Sequence, residues 1–90
     1  MSERRVTIRV EGMVQGVNYR QAARREAERL GIAGFARNED DGSVTVEAEG
    51  ESNTIAQFIE WCRHGPAPAH VTRVDVVDGP FVGYEGFARR

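Results

Sequence analysis

Residues 5–31, RVTIRVEGMVQGVNYRQAARREAERLG, change their apolar period midway, and that change decides the fold. From Arg5 to Glu11 the chain alternates strictly, with Val6, Ile8 and Val10 on one side and Thr7, Arg9 and Glu11 on the other. Such alternation predicts a strand with one buried face. From Tyr19 to Leu30 the period becomes helical and gathers Tyr19, Ala22, Ala23, Ala27 and Leu30 on one stripe. Arg24 and Glu28 stand four apart on the opposite face, a spacing at which the two charges can pair. Gly31 follows the last apolar position, where a helix end favours a residue that accepts positive φ.

Working outward, Ile32 to Asn38 and Ser43 to Gly50 read as two further strands around Glu39-Asp40-Asp41-Gly42. Asp-Gly there suits a tight hairpin. Ser52 or Asn53 is the expected cap of a second helix, whose buried stripe is Ile55, Phe58, Ile59 and Cys62. Gly65-Pro66-Ala67-Pro68 ends it. Val71 to Val77 reads as a fourth strand with Val74 and Val76 on one face, Asp78-Gly79-Pro80 as a turn, and Tyr84 to Arg89 as a short closing strand. The order β-α-β-β-α-β, plus a short strand, predicts an α+β class chain. Its expected form is a ferredoxin-like sandwich: an antiparallel sheet with both helices on one face. With no linker, repeat or low-complexity stretch, residues 1–90 are expected to form a single domain.

Composition removes several kinds of chemistry. All twelve basic residues are arginine. Without lysine there is no Schiff-base chemistry and no P-loop. One cysteine, Cys62, closes no internal disulfide and provides no paired thiolates for zinc or redox work. Any anion must therefore be held by arginine, backbone N–H groups or neutral donors. A net charge of -2 argues against a general nucleic-acid binder. No apolar run reaches the roughly 18 residues of a membrane-spanning helix. The amino end passes directly into the first strand without a leader core, so a cytoplasmic location is expected.

Two segments carry candidate chemistry. The loop Gly12-Met13-Val14-Gln15-Gly16-Val17-Asn18 leads into the first helix, and Arg20 lies in that helix's first turn. Helix N-termini favour negative charge, so an arginine there is in conflict unless an anion sits beside it. A tight loop followed by a solvated arginine is the plainer reading. Asn38, the second candidate, ends the second strand; a residue that starts the hairpin turn is its plainer reading. From these residues alone both pairs of readings stay open.

The same segments resemble the acylphosphatase family. Gly12-Met13-Val14-Gln15-Gly16-Val17-Asn18-Tyr19-Arg20 is similar to its signature G-x-V-Q-G-V-x-[FY]-R. Gly34-Phe35-Ala36-Arg37-Asn38-Glu39-Asp40-Asp41-Gly42-Ser43-Val44 is similar to its second signature, G-x-x-x-N-x-x-D-G-[ST]-V. The resemblance implies hydrolysis of the carboxyl-phosphate bond of acyl phosphates, without metal, cofactor or covalent intermediate. It implies that Arg20 and the backbone N–H groups of Met13, Val14, Gln15, Gly16, Val17 and Asn18 hold the phosphate. Asn38 would orient the attacking water. The implied partners are a small-molecule acyl phosphate and product phosphate, with no nucleic acid and no membrane, and a monomer is expected. Asn18 and Glu39 depart from the commonest pattern, and Glu39 puts a carboxylate beside the site.

Other features read as structural. His64 and His70 flank the Gly65-Pro66 turn with no third ligand at an evident spacing. Trp61 and Phe58 read as packing residues. The same element order occurs in RNA-recognition domains, but those need strand aromatics where this chain has Thr7, Arg9, Thr45 and Glu47. A non-catalytic anion-binding or acyl-phosphate-binding module is the alternative function.

Overall fold

The computed structural model describes residues 2–90. Its elements are β1 (Glu3–Met13), α1 (Tyr19–Leu30), β2 (Ala33–Asn38), β3 (Val44–Glu51), α2 (Ser52–Cys62), β4 (His70–Gly79) and β5 (Phe87–Arg89). One five-stranded sheet runs in the order β4-β1-β3-β2-β5. This is the ferredoxin-like α+β sandwich that the period change predicts. The four long strands pair antiparallel, and β5 corrects the all-antiparallel expectation by running parallel to β2.

Alternation along β1 and β3 divides the sheet into two faces. Val6, Ile8 and Val10 of β1 and Val44, Val46 and Ala48 of β3 have no exposed surface. They pack with Tyr19, Ala23 and Ala27 of α1 and with Ile55, Phe58, Ile59 and Cys62 of α2. The α2 stripe therefore lies where the sequence puts it, and the α1 stripe does so except at Ala22, which is half-buried and outside the core. Alanines at 23 and 27 add little bulk between α1 and the sheet. Phe58 packs edge-on against Phe87 at 5.9 Å between ring centres and stacks on Trp61 at 6.1 Å. The contact with Phe87 fastens α2 to β5.

The opposite face carries polar side chains and a strap. Residues 80–86 run from β4 to β5 across it. Glu49 is only 3% exposed, yet its carboxylate accepts the backbone N–H groups of Val82, Gly83 and Tyr84 at 2.8, 2.7 and 2.5 Å. A buried carboxylate is tolerable when satisfied in this way. Tyr84 also lies edge-on to Phe35 at 5.8 Å and donates its hydroxyl to Glu47. Several boundaries differ from expectation for the same reason: tertiary pairing overrides local turn chemistry. Asp78 and Gly79 belong to β4, because they pair with Val6 and Arg5. The strand after the strap begins at Phe87, not Tyr84. Neither Ser52 nor Asn53 caps α2; the Glu51 side chain accepts from the Asn53 N–H instead.

Gly12 shows why the end of β1 is written as it is. The β1–β4 register shifts between Glu11 and Gly12, and φ at Gly12 is 126°. A Cβ there would lie 2.2 Å from the His70 carbonyl oxygen. The bulge needs a glycine, and it turns the chain out of the sheet toward the start of α1.

Candidate active site

The turn after β1 forms one wall of a cleft, and the end of β2 forms the other. The cleft has about 210 Å³ of space and is lined by Val14, Gln15, Gly16, Asn18, Tyr19, Arg20, Gln21, Asn38 and Arg89. None of these is acidic. Gly16 at φ 74° and Asn18 at φ 65° are both left-handed. Left-handed residues in a short turn can curl neighbouring N–H groups toward one point, a concavity suited to anions. Asn18 is the N-cap of α1, but its side chain makes no cap hydrogen bond, and the first turn of α1 holds no acid. The positive end of the helix is thus left without a side-chain counterpart.

Arg20 reaches from that first turn to the residue that follows β5. Its Nη1 donates to the main-chain oxygen of Arg90 at 2.5 Å. A guanidinium has five N–H donors in a planar fork, so this one bond fixes its aim while most donors remain available. Among the described residues no Asp or Glu side chain pairs with Arg20. Asn38 stands at the end of β2, opposite Val44 of β3. Its side-chain Oδ1 is buried and accepts from no group of the protein. Buried polar atoms are almost always partnered, so an orphan acceptor in a cleft is a place for a ligand atom or water.

Gln15 joins the two walls. Its side-chain amide donates to the carbonyl oxygens of Glu39 and Ser43 at 2.8 and 2.9 Å. The hairpin closes beneath it, with the Glu39 N–H donating to Ser43 O, and with the Ser43 N–H and hydroxyl both donating to Asp41 Oδ1. The loop is therefore bolted to the strand end that carries Asn38.

The structure brings Val14, Gln15, Gly16, Asn18, Arg20 and Asn38 together, but not Met13 and Val17. Met13 ends β1 opposite His70 and is 66% exposed, and Val17 packs against the core. Glu39 is absent from the cleft lining and pairs with Arg37 at 2.9 Å. Its carboxylate is therefore directed away from the place where an anion would sit. The packing assignments for Cys62 and Trp61 agree with the structure. Burial pushes the Cys62 thiol up to about 12, and the Tyr19 hydroxyl donates to the Cys62 carbonyl at 2.7 Å. His64 is exposed beside Glu60 at 3.2 Å. Sequence reasoning missed Arg89 and the role of Arg90's main-chain oxygen. No periodicity signals either, because β5 is a three-residue strand placed by its parallel pairing with β2.

A ferredoxin-like sandwich with an acid-free, arginine-lined cleft at the first β–α turn defines a class of small anion-handling domains. Comparison with known proteins narrows the class. The sequence profile of the acylphosphatase family matches residues 6–88. An acylphosphatase from a Nocardioides species is 49% identical over 85 residues, covering 94% of this chain and 86% of that protein. One from Thermotoga maritima is 48% identical over 80 residues, covering 89% of each. The crystal structure of acylphosphatase from Bacillus subtilis superposes with a TM-score of 0.93 at 33% identity, covering 97% of this chain and 98% of that one. The structure of an acylphosphatase from Coxiella burnetii gives 0.94 at 34% identity, covering 98% and 93%. The chain belongs to the acylphosphatase family, enzymes that hydrolyse acyl phosphates.

Proposed function

We propose that this enzyme holds the phosphoryl group of an acyl phosphate in the cleft between the β1–α1 turn and Asn38. Arg20 and the backbone N–H groups of Val14, Gln15, Gly16 and Asn18 form the cradle, and Asn38 orients the water. One observation carries the reading: the orphan Oδ1 of Asn38 shares its cleft with an arginine that no Asp or Glu side chain pairs with.

The chemistry asks little more of the protein. An acyl phosphate has a stable carboxylate as its leaving group, so neither a strong nucleophile nor a metal is required. Phosphoryl transfer depends mainly on positioning and on charge stabilisation. The Arg20 fork can hold two phosphate oxygens at once. Asn38 Oδ1 accepts one water hydrogen and points the water's lone pair at phosphorus. As the new P–O bond forms, the bond to the acyl oxygen breaks and its electron pair leaves with the carboxylate. The water's proton passes to a phosphate oxygen, so no protein base is needed.

On this reading residues 1–90 work as one catalytic domain, a cytoplasmic monomer that engages a small molecule and neither nucleic acid nor membrane. The net charge of -2 supports the last point, and no helix among the described residues is long and apolar enough to cross a membrane. A purely anion-binding module is not favoured, because it leaves the orphan acceptor without a task. The test is phosphate release from benzoyl phosphate in the presence of a chelator. The wild type is expected to turn over, and Arg20→Ala is expected to lose about a hundredfold or more in kcat/KM. A wild type inactive under chelation, or an Arg20→Ala enzyme at full rate, overturns the assignment.

A further inference from the structure

The arginines of this protein fall into two groups. Among the described residues, eight of the twelve sit within ion-pair distance of an Asp or Glu side chain. Arg20, Arg25, Arg89 and Arg90 do not. Two of these four, Arg20 and Arg89, line the cleft, and no acidic residue joins them there. In a chain of net charge -2, this is a local excess of positive charge set against the overall sign.

β5 explains how Arg89 comes to be there. Phe87 is buried against Phe58, on the helix side of the sheet. Alternation puts Arg89 on the same side, toward the start of α1. Arg90 turns to the other face, where its guanidinium lies over the Phe35 ring at 4.0 Å. Arg89 also pairs in register with Ala36, two residues before Asn38. It is exposed at the cleft margin, whereas Arg20 is partly buried and held by Arg90's main-chain oxygen. One cation is thus aimed by the fold and the other is free at the rim.

We propose that Arg89 is a specificity-determining residue, which favours acyl phosphates whose acyl portion carries a second negative charge. The proposal rests on the placement of the phosphoryl group beside Arg20. With the phosphate occupying the Arg20 fork, the acyl chain extends toward the open rim, and a carboxylate or second phosphate there meets Arg89. An exposed ion pair of this kind is worth a fewfold change in binding rather than orders of magnitude.

Two chemically matched substrates test it. Succinyl phosphate ends in a carboxylate, and butyryl phosphate has the same chain length without that charge. The measured quantity is the ratio of their kcat/KM values in wild type, Arg89→Gln and Arg89→Lys. Arg89→Gln is expected to lower the succinyl-to-butyryl ratio about two- to fivefold, chiefly through KM for succinyl phosphate. Arg89→Lys is expected to restore most of it, and added salt to shrink the wild-type advantage. An unchanged ratio in Arg89→Gln, or an equal fall for both substrates, overturns the proposal while leaving the Arg20 site intact. A wild type that hydrolyses neither substrate defeats the underlying placement instead.

Discussion

Replacing Asn38 by alanine separates catalysis from stability in a way that the structure makes quantitative. Asn38 Oδ1 is buried and accepts from no group of the protein. Removing the amide therefore breaks no protein hydrogen bond to that oxygen. A large loss of stability needs a lost partner, a core cavity or strain, so Asn38→Ala is expected to stay within about 1 kcal/mol of wild type. Its activity is a different matter. A pre-organised polar group that positions a reacting atom is worth about 100- to 1000-fold in kcat, or roughly 3–4 kcal/mol of barrier. On the proposed placement KM should change little, because Arg20 and the loop N–H groups would still hold the phosphate. The assay pairs urea unfolding, followed by the fluorescence of the single tryptophan, Trp61, with steady-state hydrolysis of benzoyl phosphate. If kcat stays within about threefold of wild type, the water-orienting role is wrong. If stability falls by more than about 2 kcal/mol, Asn38 is a structural hairpin residue and the reasoning from its orphan oxygen fails.

Three further substitutions probe the supports of the site. Gln15→Leu removes both bonds that tie the loop to the hairpin; stability should fall about 1–3 kcal/mol, with kcat/KM dropping about tenfold as the walls loosen. Tyr19→Phe removes the buried bond to the Cys62 carbonyl, and urea unfolding should show a loss of about 1–2 kcal/mol with the rate largely preserved. Glu47 gives a pH prediction. Burial pushes its carboxyl up, but hydrogen bonds from Thr7, Tyr84 and Arg5 and the charge of Arg5 outweigh this and hold it below its ordinary value. A depressed folded-state pKa contributes stability above the unfolded value, lost as pH falls through the folded one. Unfolding free energy should therefore decline below about pH 4, and Glu47→Gln should flatten that decline. It should not abolish it, because Asp41 and Asp78 are lowered too, by hydrogen bonds from Ser43 and Arg4 respectively.

The fold was legible wherever one face of an element is buried. Alternation at Val6, Ile8 and Val10, the α2 stripe and the α1 stripe apart from Ala22 follow directly from burial, and the sheet placed them accordingly. Legibility failed where pairing partners are distant in sequence. Asp78 and Gly79 look like a turn, yet Arg5 and Val6 draw them into a strand. Glu51 caps α2 ahead of the better-looking serine, which donates its N–H to the Ser2 carbonyl instead. At the site, Arg20 and Asn38 were readable from the two signatures, whose residues the sheet order brings to one cleft. Arg89 was not, since a three-residue strand has no period to read. Nor was the Gln15 bolt, because its acceptors are backbone carbonyls of the hairpin, which any sequence would supply.

On the proposed reading the phosphoryl group sits at the start of α1 beside Arg20. Titration of inorganic phosphate into the 15N-labelled protein tests it most directly. Saturable shifts are predicted for the backbone amides of residues 14–20 and for the Asn38 side-chain amide, and Arg20→Ala should abolish them. Saturable shifts confined to another surface, or a wild-type response that Arg20→Ala leaves intact, would contradict it.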